Sequence, residues 1–293
     1  MRVAITGKSG QVSTAIHEYG LVAGHEVILV GRPELDLTDP ASVTAALAVA
    51  NADVVVSAAA YTAVDQAESE PEQAYAINAT GAGAVASAAH DLGVPVIHLS
   101  TDYVFDGELA RPYREDDPTG PSGIYGASKL AGERAVLEAC DDATILRLAW
   151  VYSPFGANFV KTMLRLGAAG SQIPVVSDQF GNPTSALDIA SGVLQVAENL
   201  VTRKDPALRG IFHLTAAGEA SWAQFAAAIF EASHKWGGPL ARVLPIATAD
   251  YQTPARRPAN SRLDCELIKQ VHEVALPHWQ KGLEVVIARL IKE

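Results

Sequence analysis

Two cysteines in 293 residues, Cys140 and Cys265, are too few for a disulfide framework or a thiolate metal site. They fit free, structural thiols in a reducing compartment. No stretch approaches the ~18 consecutive apolar residues of a membrane span. The apolar run Val3-Ala4-Ile5 meets Gly7 too soon to form a signal peptide. A cytoplasmic chain is the expectation. Basic residues are also scarce: 22 Lys and Arg stand against 33 Asp and Glu, a formal net charge of −11. That balance argues against nucleic acid or an anionic membrane as the main partner. An anionic small ligand remains compatible, because a helix N-terminus or a few local arginines hold a phosphate. The eight histidines lack metal-ligand spacing. His98 and His213 lie in apolar, strand-like runs and read as satisfied, partly buried histidines. No bound metal is expected.

What is present is an alternation of short apolar runs with longer helical segments. Strands are expected at residues 2–6, 26–30, 53–58, 94–100 and 144–152, and helices at 11–23, 40–50, 72–92 and 122–139. The strand runs are nearly continuous in Val, Ile, Leu and Ala, which suits parallel strands covered on both faces. The order implies an α/β fold with a doubly wound parallel sheet. Beyond residue 150 the pattern is less regular. Helices are expected at 158–169, 185–201 and 221–236, strands at 173–176, 210–215 and 241–246, and a closing helix after Pro277. Prolines and arginines in 253–262 mark an ordered loop. The expected division is a dinucleotide-binding domain, 1–150 with a return segment of about 172–215, and a smaller C-terminal α/β domain for substrate, 151–171 and 216–293.

Gly7-Lys8-Ser9-Gly10-Gln11-Val12-Ser13 follows the first strand and opens the first helix. Glycines there permit a tight turn and close backbone approach, and the helix N-terminus faces a pyrophosphate. An acid at the end of the second strand would select the ribose hydroxyls of NAD. The strand ends instead in Val30-Gly31-Arg32. Arg32 suits the 2′-phosphate of NADP, its alternative being a solvated loop arginine. Asp36 and Leu37 follow closely and border the adenine. Ala58, Ala59 and Ala60 offer small side chains where a cofactor would cross the sheet edge.

Tyr125-Gly126-Ala127-Ser128-Lys129 places a phenol and an ammonium on one helix face, one turn apart. A neighbouring ammonium favours the phenolate, so Lys129 is expected to lower the Tyr125 pKa. A tyrosine tuned in this way exchanges a proton with a carbonyl or hydroxyl. Upstream, Ser100-Thr101-Asp102-Tyr103 ends the fourth strand, at the carboxyl edge where such sheets bind ligands. Thr101 is expected to polarise a carbonyl. Ser100 is the competing hydroxyl, because alternation sends only one of the pair into the site.

Together with residues 58–65, 67–68, 149–152, 158–161, 178–184 and 257–263, these motifs resemble the extended short-chain dehydrogenase/reductases. Among them, the chain is most similar to the dTDP-4-dehydrorhamnose reductase family. The resemblance implies a Rossmann-type cofactor domain and a sugar-nucleotide domain. It implies reduction of the C4 keto group of dTDP-4-dehydro-L-rhamnose by NADPH or NADH, with Arg32 tilting the choice toward NADPH. It implies catalytic roles for Thr101, Tyr125 and Lys129. Beside Gly7, read from the turn itself, it places cofactor contacts on Gly10, Gln11, Val12, Asp36, Leu37, Ala60 and Thr62, and sugar-nucleotide contacts on Thr101, Asp102 and Trp150. Two departures stand out. Ser13 replaces a packing glycine, and Ala15 stands where some relatives carry a carboxylate that helps hold a metal between subunits. A monomer or plain homodimer is therefore expected, and a metal-bridged dimer is not.

Arg257 is the candidate for the substrate diphosphate, since a guanidinium fork matches phosphate geometry. Asn158 is a further substrate candidate. Asp65, Glu68 and Glu70 read as acids serving a helix dipole. A 4,6-dehydratase would place an Asp-Glu pair after the threonine, whereas Tyr103 follows Asp102 here. A nucleotide-sugar 4-epimerase, and a non-catalytic NADP-binding regulatory subunit, remain open alternatives.

Overall fold

The computed structural model describes residues 1–292. Its first half alternates strands and helices: β1 (Arg2–Thr6), α1 (Gln11–Val22), β2 (Glu26–Val30), α2 (Pro40–Ala50), β3 (Val54–Ser57), then α3 (Val64–Ala67), α4 (Pro71–Tyr75) and α5 (Ala82–Leu92). β4 (Val96–Thr101), α6 (Ile124–Ala139) and β5 (Ala143–Leu148) complete it. Next come β6 (Val151–Tyr152), α7 (Phe159–Ala169), β7 (Gln172–Val176), β8 (Phe180–Gly181), β9 (Thr184–Ser185), α8 (Ala186–Thr202) and β10 (Gly210–His213). The chain ends through β11 (Ala216–Ala217), β12 (Ala220–Ser221), α9 (Trp222–Lys235), β13 (Arg242–Ile246), α10 (Glu266–His272), β14 (Leu276–His278) and α11 (Trp279–Lys292).

Six strands form one parallel sheet in the order β10-β5-β4-β3-β1-β2. Alternate residues of the apolar runs serve opposite faces. Val3, Ile5, Val56, Ile97 and Leu146 pack with Ala15 and Ile16 of α1 and with Ile189, Ala190 and Val193 of α8. Ala4, Val55, Val96 and Ile145 pack with α2, α5 and α6 through Val43, Leu47, Val85, Ala89 and Val136. Both faces are dry, as the lack of alternation requires. A third core joins α7, α9, α11 and β7 around Val160, Phe225, Phe230 and Val286. Among the described residues no helix is long and apolar enough to cross a membrane.

Three local features depart from expectation. The strand expected over 144–152 breaks after Leu148. Trp150 takes φ 45°, and the chain leaves the sheet so that β6 pairs with β9. The helix expected over 72–92 contains a π turn at Ala76–Gly81. There Gly81 meets Leu37, and Gly132 of α6 lies so near the Asn78 carbonyl that a Cβ would sit 2.0 Å from it. A wider turn accommodates that approach. Finally, the expected return segment, 172–215, joins the main sheet through β10 and its α1-facing helix α8, while β7 pairs with β13 instead.

Candidate active site

The carboxyl ends of β1, β3 and β4 converge on one crevice. At its base Gly7 has φ 98°, a conformation L side chains rarely adopt. Its N–H donates to the Val30 carbonyl at 2.6 Å. A Cβ on Gly7 would lie 3.4 Å from Ala59. The Thr6 hydroxyl accepts from the N–H groups of Ala58 and Ala59 at 3.0 Å each, locking the end of β3 beside this turn. Gly10 N-caps α1 with no side-chain cap and no acid in the first turn. The leading amides, at Gln11 and Val12, are thus open to an anion, with the helix dipole favouring it. These features fit the pyrophosphate of a dinucleotide.

Further along, Arg32 is exposed and lies 3.8 Å from Asp36. Hydrogen bonds from the Thr38 N–H and hydroxyl hold the Asp36 carboxyl below its ordinary range. Leu37 is buried against Gly81, so its side chain belongs to the core. Thr62 is exposed on the loop after β3. The Gln11 side-chain oxygen Oε1 accepts from Ser153 and Asn158, tying the cofactor turn to the segment beyond β6.

The reactive set sits where β4 meets α6. Thr101 ends β4, accepts from the Tyr103 N–H, donates to Asp102 at 2.9 Å and is hydrogen-bonded to Tyr125. Ser100 points the other way: its hydroxyl donates to Glu133 at 2.5 Å, inside the buried Glu133–Arg147 ion pair. Thr101, not Ser100, is therefore the hydroxyl that meets the tyrosine. Burial, reinforced by the charge of Asp102, pushes the Tyr125 phenol above its usual range. Burial also lifts Asp102 to about 7, and leaves its Oδ2 without a partner.

Lys129 corrects one expectation. Its ammonium is buried, donates to the Leu99 carbonyl at 2.7 Å and lies 3.2 Å from His98 Nε2. Burial draws it down to about 8, against the pull of Glu133. It does not hold Tyr125 below the ordinary range, because the phenol's desolvation dominates. The tyrosine is a phenol at neutral pH, the form that donates a proton.

A cavity of about 1630 Å3 opens between α7, β7 and the 251–259 loop. Its lining includes Trp222, Tyr251, Gln179 and Arg257. Arg257 forms an ion pair with Asp65 at 2.8 Å and hydrogen-bonds Tyr103, while its Nε has no partner. Burial lifts Tyr103 to about 12, and its ring packs edge-on against Tyr125 at 5.6 Å between centroids. Arg257 thus joins the cavity to the reactive set. Trp150 stacks on Trp222 at 3.5 Å and donates to Ser261; it supports the cavity-lining tryptophan from behind. Asn158 has a structural role as well. It N-caps α7 through Oδ1, and its amide nitrogen bonds Gln11, Ser153 and Phe155, so its contacts in the structure tie the start of α7 to the cofactor turn.

Five residues have contacts that the sequence reading did not assign to them. Glu68 accepts from the Ile124 N–H and so caps α6, the helix that carries Tyr125. Asp65 holds Arg257, and Glu70 accepts from the Tyr61 hydroxyl. Asp65 does lie in the first turn of α3, and each of the three acids also bonds a group outside its own helix. Asn78 bonds the Tyr61 N–H and carbonyl and also donates to Ser128, clamping the cofactor-side loop to α6. An asparagine within an alanine-rich helix was the available signal. His98, read as merely satisfied, is the neighbour of Lys129.

The sequence matches the family described as RmlD substrate binding domain over residues 1–292. It is 48% identical over 293 residues to a protein of Sinorhizobium fredii called dTDP-4-dehydrorhamnose reductase, covering 100% of this chain and 99% of that one. A protein of the same name from Escherichia coli K12 is 41% identical, with 99% and 98% covered. Among solved structures, a dTDP-4-dehydrorhamnose reductase of Bacillus anthracis in complex with NADP superposes with a TM-score of 0.91 at 35% identity, over 98% of this chain and 99% of that one.

Proposed function

The chain belongs to the family of the RmlD substrate binding domain, and from that premise we propose that it reduces the C4 keto group of dTDP-4-dehydro-L-rhamnose to give dTDP-L-rhamnose. It is an NAD(P)H-dependent oxidoreductase with a Rossmann-type sheet. The observation that carries the reaction is the pairing of buried Thr101, at the end of β4, with the half-buried Tyr125 on α6, with Lys129 one turn along that helix.

A nicotinamide dinucleotide whose pyrophosphate is held at the Gly7–Gly10 turn would supply hydride to C4. The chain's own groups do the rest. Thr101 orients the carbonyl oxygen toward the phenol of Tyr125. Tyr125, kept protonated by burial, delivers its proton to that oxygen as negative charge develops there. Lys129 stabilises the resulting phenolate and holds the cofactor ribose. Asp102 lies against Thr101 and faces the sugar. Arg257, already at the cavity edge with an unpartnered Nε, takes the diphosphate. Trp222, with Trp150 behind it, walls the nucleotide side. Arg32, with no acid at the end of β2, favours NADPH over NADH.

Residues 1–150 with 186–213 then form the cofactor domain, and the rest the substrate domain. The molecule works in the cytoplasm, as a monomer or plain homodimer.

The test is loss of NAD(P)H absorbance with a panel of nucleotide-linked 4-keto sugars. Turnover is expected with the thymidine-linked sugar. Tyr125→Phe is expected to lose about 10²–10⁴-fold in kcat with cofactor affinity retained. Parental activity in that variant would remove Tyr125 from its role.

A further inference from the structure

His98 lies in β4, paired in register with Ser57 of β3. Its Nδ1 is 3.1 Å from the Ser57 hydroxyl and its Nε2 is 3.2 Å from Lys129 Nζ. All three side chains are almost wholly buried, at 1%, 2% and 2% exposure. An ammonium only donates, so Nε2 accepts from Lys129, and the single proton of a neutral imidazole sits on Nδ1. Burial, with the charge of Lys129, holds His98 well below its usual range and so neutral. The chain of contacts ends at Ser57 inside the sheet, which suits fixing an orientation, not passing a proton to solvent. Of the three ammonium N–H groups, one goes to the Leu99 carbonyl and one to His98. One is left for the site.

We propose that His98 is a positioning residue for Lys129: its Nε2 anchors the ammonium, and Ser57 sets the imidazole tautomer that makes this possible. The proposal rests on reading Lys129 as the lysine of a hydride-transfer site. Few other charged groups face Lys129. Glu133, on its own helix, is tied to Arg147 of β5, and Tyr125 lies one turn away. Removing His98 leaves one buried ammonium N–H of Lys129 without its acceptor, which disfavours the charged lysine.

The test compares His98→Leu, which removes the acceptor, with His98→Gln, whose amide both accepts and donates. In His98→Leu, kcat is expected to fall about 10–100-fold, with KM for the sugar nucleotide unchanged. The high-pH limb of kcat moves down by about one to two units, because the ammonium loses a charged hydrogen bond. His98→Gln stays near the parent on both readouts. A parental profile in a folded His98→Leu, or equal damage in His98→Gln, overturns the proposal. Nitrogen-15 spectra of histidine-labelled parent protein give a second reading that needs no turnover. The Nδ1-protonated tautomer is expected, and an Nε2-protonated or charged ring overturns the assignment. If the parent reduces no nucleotide 4-keto sugar, the proposed reaction fails while the tautomer still decides the His98–Lys129 contact.

Discussion

At the scale of single residues, this site is governed by desolvation. Tyr125, Tyr103, Asp102 and Lys129 all shift toward their neutral forms, and burial is the largest cause for each. A reduction that needs a proton donor benefits from a phenol that stays protonated. The same burial makes Asp102 a pH-dependent liability. Its folded-state pKa of about 7 exceeds the ordinary 3.8, so the folded state binds the proton more tightly than the unfolded chain. Stability attributable to this group is therefore greatest at low pH and declines as pH rises from about 4 through about 7. The displacement corresponds to at most about 4 kcal/mol. Asp102→Asn is expected to abolish that decline, so that urea unfolding at about pH 8 shows a gain over the parent that vanishes near pH 4. Parallel pH profiles would show that Asp102 titrates normally. The local spacing of Tyr125, Lys129 and Thr101 was legible because one helix turn and one strand end place them. The protonation states were not, since they depend on partners such as His98, which is 31 residues from Lys129 and meets it only where α6 packs on β4.

At the scale of elements, α6 is held by parts of the chain that carry no chemistry. Gly126 lies so close to the Tyr103 carbonyl that a Cβ would stand 2.1 Å from it, and Gly132 rests on the π turn. The first turn has Gly123 at its N-cap, with no side-chain cap of its own. Glu68 supplies the missing acceptor at 2.8 Å from the Ile124 N–H. Glu68→Ala is expected to cost about 1 kcal/mol, the worth of an N-cap. It is expected to lower kcat more than the KM of either substrate, because Tyr125 is the second residue of the helix. Glu68→Gln, which keeps an acceptor, should recover most of the loss. Equal kcat values for Glu68→Ala and the parent would show that the cap does not position the tyrosine. The parallel strands and their helices were readable from unbroken apolar runs. The break at Trp150 and the π turn were not, because both arise where a second element presses on an otherwise regular segment.

For the whole molecule, the 251–259 loop that lines the cavity beside α7 and β7 is tied to α3 through Asp65, which pairs with Arg257 and accepts from the Ala255 N–H. Asp65 and Arg257 are 192 apart in sequence, and no local pattern announces their meeting. The motif around Arg257 was legible; its unliganded partner was not. The pair explains how an arginine is stored beside an apolar cavity in an acidic protein until a diphosphate arrives, since two phosphates offer a better fork than one half-exposed carboxylate. A ligand bound only by the folded state stabilises it by mass action, by about 2.7 kcal/mol at a hundredfold excess over Kd. Saturating dTDP is therefore expected to raise the unfolding midpoint and to protect the loop containing Arg257 from proteolysis. Arg257→Gln should lose both effects at the same dTDP concentration while NADPH still raises its midpoint, because the cofactor crevice lies at Gly7 and Gly10. Undiminished protection by dTDP in Arg257→Gln would assign the diphosphate to another cation, and Arg257 would then be a structural brace for the loop.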